Sequence, residues 1–150
     1  MAINPNTDFT TGAVLTAAQQ NRFPRGIMAF ASVTTSDTTI TSEEVQVTSA
    51  SFTAVANRYY KITYVEPNIT GGTGYMIPRI RLTNLAGTQL TRFDQTTGAT
   101  EQNVNAVWAG TLSAGSTVIV ATLTSSAGTG SAVRTATSPA LLIVEDLGPA

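Results

Sequence analysis

The carboxylates Glu43, Glu44, Glu66, Asp94, Glu101, Glu145 and Asp146 carry most of the chemical options of this sequence. Two of them, suitably spaced, would suffice for glycoside hydrolysis, one as acid and one as base or nucleophile. A small glycan depolymerase acting through Asp94 or Glu101 is the enzymatic reading. The adjacent pairs Glu43-Glu44 and Glu145-Asp146 could offer oxygen ligands to calcium, but no Asp-x-Asp-x-Asp-Gly loop accompanies them. These acids fall mostly at predicted strand ends and turns, where solvated surface is the ordinary fate of a carboxylate. With no cysteine and no histidine, thiol nucleophiles, Cys/His zinc sites and imidazole bases are excluded. The residues therefore predict a non-enzymatic chain with no catalytic, metal or cofactor site.

Binding is the other option. Gly71-Gly72-Thr73-Gly74 lacks the Lys-Ser/Thr ending and following helix of a phosphate loop, so it reads as a turn. Asn68-Ile69-Thr70 matches a glycosylation acceptor with no secretory route to make use of it. Tyr75, directly after the glycines, is the aromatic best placed to meet a sugar or peptide. Trp108, in mid-strand between Val107 and Ala109, reads as core. Arg79 and Arg81 share one strand face near Arg92 and Asp94, the pattern of an ion-pair belt between subunits.

The elements that must position these groups are strands. The chain has 150 residues and 27 threonines, and from Gly26 onward β-branched residues alternate with turn signals. Candidate strands are 27–33, 44–48, 51–55, 59–66, 75–82, 89–94, 102–112, 117–124, 132–137 and 140–145. Tyr60, Ile62 and Tyr64 share one face of their strand, and Met76, Pro78, Ile80 and Leu82 share another. Leu141-Leu142-Ile143-Val144 is apolar on both faces, as suits a central or interface-buried strand. About eight to ten antiparallel strands without a crossover helix predict an all-β fold, a β-sandwich or jelly roll over residues 26–150. Residues 1–25 form a separate polar segment with one short helical patch, Leu15 to Asn21, ended by Pro24.

Only 11% of the residues are charged and the net charge is -1. A folded surface of roughly 7,000 Å² then carries about half the usual charge density. Uncharged surface tolerates burial between subunits, so a homo-oligomer is expected. The scattered basic residues, with Lys61 the only lysine, argue against nucleic acid. The N-terminus has no signal-peptide pattern, and no stretch approaches the ~18 apolar residues of a membrane span.

Asp8-Phe9-Thr10-Thr11-Gly12-Ala13-Val14-Leu15-Thr16-Ala17-Ala18-Gln19-Gln20-Asn21 resembles the short N-terminal element of tailed-bacteriophage virion proteins. Arg25-Gly26-Ile27-Met28-Ala29 and the closing Glu145-Asp146-Leu147-Gly148-Pro149 resemble the start and end of the β-domain in the same family. The resemblance implies a trimeric jelly roll made in the host cytoplasm and located in the virion. It also implies attachment to other virion proteins through residues 1–25, with Phe9, Val14, Leu15, Ala18, Asn21 and Phe23 as the contacting side chains.

Residues and resemblance together predict a structural virion component of tail tip or fibre type. A capsid decoration protein is the alternative. Loops at 68–75, 84–88, 95–101 and 125–131 would meet a host-surface glycan or protein, with Asn68, Thr73 and Tyr75 as candidate recognition residues.

Overall fold

The computed structural model describes residues 11–95 and 101–150. After one helical turn, α1 (Ala17–Gln20), the described chain is built from strands. In order these are β1 (Gly26–Val33), β2 (Asp37–Ile40), β3 (Glu44–Thr48), β4 (Phe52–Ala54), β5 (Arg58–Thr70) and β6 (Met76–Leu82). There follow β7 (Gln89–Arg92), β8 (Gln102–Thr111), β9 (Gly115–Thr117), β10 (Ile119–Ser125), β11 (Gly130–Ala132) and β12 (Ala140–Pro149). All pairings between them are antiparallel.

The long strand β5 organises the larger sheet. One of its edges pairs with β8, and the other pairs first with β12 and then, near its C-terminal end, with β11. β1 lies outside β12, and β2 outside β11, so the sheet is four strands wide. The second sheet runs β3, β10, β6, β7, and a short β4–β9 ribbon completes the fold. Two such layers enclosing one core define a β-sandwich of jelly-roll type.

Period-2 alternation decides which side chains fill the space between the layers. On β5 the inward row is Arg58, Tyr60, Ile62, Tyr64 and Glu66, all buried. Ile80, Ala121, Leu123, Leu142 and Val144 face them or flank them in the same core. β12 is apolar on both faces because it is an interior strand: Leu142 and Val144 are buried, and Leu141 and Ile143 are half-buried on the outer side. Trp108 is partly buried and packs against the core. Its ring occupies the place where a Cβ on Gly110 would sit, 2.5 Å from Cζ2, so residue 110 has no room for a side chain.

Three expectations need correction. The strand placed at 132–137 ends at Ala132, because Arg134 turns inward to an ion pair and takes the chain out of the sheet. Asp37–Ile40 forms a strand that its polar sequence hides, with Ile40 as its one fully buried side chain. Glu66 and Asp146 are not solvated surface: both face inward and are buried, each against an arginine.

Candidate functional site

Strand directions place the loops after β5, before β8 and after β10 at one end of the sandwich, and the loop at 84–88 at the other. The 71–75 and 126–129 loops interlock. The Tyr75 N–H donates to Ser126 Oγ at 2.9 Å, and the Ser126 N–H donates to the Tyr75 carbonyl at 2.9 Å. A Cβ on Gly72 would lie 2.9 Å from the Thr129 carbonyl oxygen. The glycines are therefore needed for this close approach, and they fix the loops as one platform. Thr73 is exposed and adjoins Gly128, and the Tyr75 side chain is 42% exposed beside it.

Asn68 is not part of that loop. It lies within β5, half-buried, with its carbonyl accepting from the Val133 N–H and its Oδ1 buried without a hydrogen-bond partner. Gln95 brings the neighbouring loop to the same end through two backbone bonds with Met76 and a side-chain bond to Gln102. Of that loop's expected recognition region, residues 96–100 lie outside the described residues.

A polar network supports this end from within. Arg134 donates through Nε to Glu66 Oε1 and through Nη2 to Oε2, both at 2.7 Å. Its Nη2 also reaches Gln46 Oε1 on the opposite sheet, and Nη1 donates to the Thr35 carbonyl. The Tyr64 hydroxyl donates to Glu66 Oε2 at 2.7 Å, and Gln46 Nε2 donates to Asp37 Oδ2 at 3.0 Å.

Burial first, and then the Glu66 carboxylate, push the Tyr64 phenol well above its usual range. Burial opposes ionisation of Asp37, yet hydrogen bonds from Gln46 and Thr39 hold its carboxyl low. Burial and the neighbouring Asp37 charge raise Glu44, which packs beside it.

The Tyr64 shift has a measurable consequence. Above about pH 10 the unfolded chain releases a phenolic proton that the folded chain keeps. The contribution is constant below that pH and declines as pH rises further. Stability followed by urea unfolding between pH 8 and pH 11 is expected to fall, with a shallower slope in Tyr64→Phe.

At the opposite end of β5, Arg58 forms a bidentate pair with Asp146, Nε to Oδ2 at 2.6 Å and Nη2 to Oδ1 at 2.8 Å. Its remaining donors hold the N-terminal segment: Nη1 donates to the Asn21 carbonyl at 2.6 Å and Nη2 to the Phe23 carbonyl at 2.7 Å. Just before this clamp, Thr16 caps α1 in a reciprocal box with Gln19.

Among the side chains expected to attach, Val14 is 89% exposed, and Leu15, Ala18, Asn21 and Phe23 are also exposed. Phe9 lies outside the described residues. Sequence reasoning missed Arg58 and Arg134 as organising residues. Arg58 continues the inward alternation of Tyr60, Ile62 and Tyr64, whereas Arg134 lies beyond the end of β11 and carried no such signal.

The arginines expected to bridge subunits are partnered within the chain. Arg81 forms a bidentate pair with Glu43, Arg79 Nη1 lies 3.3 Å from Glu43 Oε2, and Arg92 pairs with Asp94. Burial opposes ionisation of Glu43, but hydrogen bonds from Arg81 and Thr122 and the charges of Arg79 and Arg81 hold it low. Among the described residues, no three Asp, Glu, His or Cys side chains converge on a metal position. Nor is any described helix long and apolar enough to cross a membrane.

The fold defines an all-β, jelly-roll-type sandwich, and three solved structures share parts of it at low similarity. A carbohydrate-binding module from Cellvibrio mixtus lichenase 5A, in complex with cellotriose, is 11% identical with a TM-score of 0.37, over 79% of this chain and 96% of that one. The enzymatically active domain of bacteriophage CBA120 tailspike protein 4 is 12% identical with a TM-score of 0.38, over 79% of this chain and 19% of that one. An infectious bursal disease virus Gx strain structure is 12% identical with a TM-score of 0.34, over 85% of this chain and 41% of that one. No protein-family model and no curated protein matches the sequence.

Proposed function

We propose that this chain is a non-enzymatic structural component of a bacteriophage virion, a homotrimeric protein of tail tip or fibre type. Residues 1–25 hold it to neighbouring virion proteins. The 71–75 and 126–129 platform, with Thr73 and Tyr75, faces outward to a host-surface glycan or protein. The observation that carries this reading is the N-terminal segment. It resembles a phage attachment element and is held by a buried arginine at Asn21 and Phe23, while Val14 and Leu15 stand in solvent. A segment clamped at one end with apolar side chains exposed is suited to docking on a neighbour.

The inward carboxylates are in structural use. Glu66 and Asp146 are buried and each is chelated by an arginine.

The test is a chain lacking residues 1–20, which keeps both carbonyls that Arg58 needs. It is expected to fold with unchanged circular dichroism and to be absent from purified phage particles that incorporate the full chain at the tail. Incorporation of the shortened chain at the normal level, or absence of the full chain from particles, would overturn the proposal. A regular array over the head would replace tail placement with capsid decoration.

A further inference from the structure

The outer face of the larger sheet is unusually bare of charge. Cross-strand register lines up Phe30, Ile143, Thr63 and Val107 in one row across β1, β12, β5 and β8. The adjoining row is Ile27, Glu145, Lys61 and Ala109. Ile27 is 65% exposed and Phe30 53%, and Val107 and Leu147 stand out on the same face. Lys61 and Glu145 neutralise each other at 3.2 Å, so these two rows bring no net charge to a partner.

We infer that this face is a subunit interface, covered by a second copy of the same chain turned toward a common symmetry axis. The inference rests on the oligomeric part of the reading above and adds the surface to it.

Two arguments select a second copy. Four strands at ~4.8 Å spacing and about eight residues of length give a planar footprint of about 500 Å² per partner. With side-chain relief that reaches the ~1,000 Å² in total at which specific interfaces begin. In addition, a face without net charge meets the surface of a neighbouring copy without like-charge repulsion, and closed symmetry buries every copy of it at once. The charges of the opposite sheet, Glu43 with Arg79 and Arg81, and Arg92 with Asp94, stay on the outside of such an assembly.

The experiment is mass photometry or sedimentation of the full chain and of Phe30→Asp, Val107→Asp and Phe93→Asp. Phe93 is also apolar and 42% exposed but follows β7 on the other sheet. At about 10 μM the wild type and Phe93→Asp are expected to be oligomeric. Phe30→Asp and Val107→Asp should weaken association at least 100-fold, leaving monomers with unchanged circular dichroism. A monomeric wild type, or an oligomer that survives both substitutions on the face, would overturn the inference. Particle incorporation is read separately: a monomer that still enters virions removes this interface and leaves the virion role standing.

Discussion

Replacing Arg134 by methionine is expected to cost about 3–5 kcal/mol of stability, read as a lowered urea midpoint at unchanged slope. Glu66 is completely buried, and both of its oxygens are held by the Arg134 guanidinium. Methionine fills much of the volume but leaves an uncompensated carboxylate in the core, with only the Tyr64 hydroxyl still donating to it. The same substitution strands Gln46 Oε1 and the Thr35 carbonyl, which ties the cost to both sheets.

The double variant Glu66→Leu, Arg134→Met removes the buried charge as well and is expected to recover part of the loss, because apolar replacement of a whole buried pair is far milder than breaking it. A single-variant loss below about 1 kcal/mol would mean that water reaches Glu66 and that the network is not sealed.

Asp146→Ala is the counterpart at the other end of β5, with an expected loss of about 3–5 kcal/mol. Three donors lose their acceptor: Arg58 Nε, Arg58 Nη2 and the Gly148 N–H. Here the effect extends beyond stability. With its carboxylate gone, the Arg58 guanidinium is no longer oriented toward the Asn21 and Phe23 carbonyls, so the segment before β1 should loosen. Limited proteolysis is expected to cut within residues 11–25 faster than in the wild type, under conditions where the β-domain stays intact. Equal cleavage rates would show that the segment is held by contacts other than this clamp.

The sandwich was legible wherever one face of a strand is apolar. Tyr60, Ile62 and Tyr64 share one face, and the burial of β5 follows that alternation from Arg58 to Glu66. Leu141 to Val144 announced an interior strand because both faces are apolar. β2 carried no such signal: Asp37, Thr38 and Thr39 are polar, and the strand exists because β11 offers its edge.

The ion pairs were hidden for a different reason. Arg58 and Asp146 are 88 residues apart, and Glu66 and Arg134 are 68 apart. Nothing local distinguishes an inward charge with a distant partner from a solvated one. For the candidate site, the two glycine-rich loops were legible as turns, but their mutual contact depends on β5 and β10 ending where β6 begins. The place of Asn68 inside β5 depends on the shifted pairing with β8 between Glu66 and Ile69.

The insertion of β12 between β1 and β5 governs how the chain acquires its structure. β1 meets β12 through pairs such as Gly26 with Asp146, so β1 waits for every strand from β2 to β12 before it can pair. Contacts of such sequence separation place folding on the millisecond to second scale. On the ribosome, β5 remains without its β12 partner and Arg58 without its carboxylate until β12 is synthesised. The outer face formed by β1, β12, β5 and β8 is complete only at that moment. Association through that face therefore waits for β12, and earlier partners find no assembled surface to join.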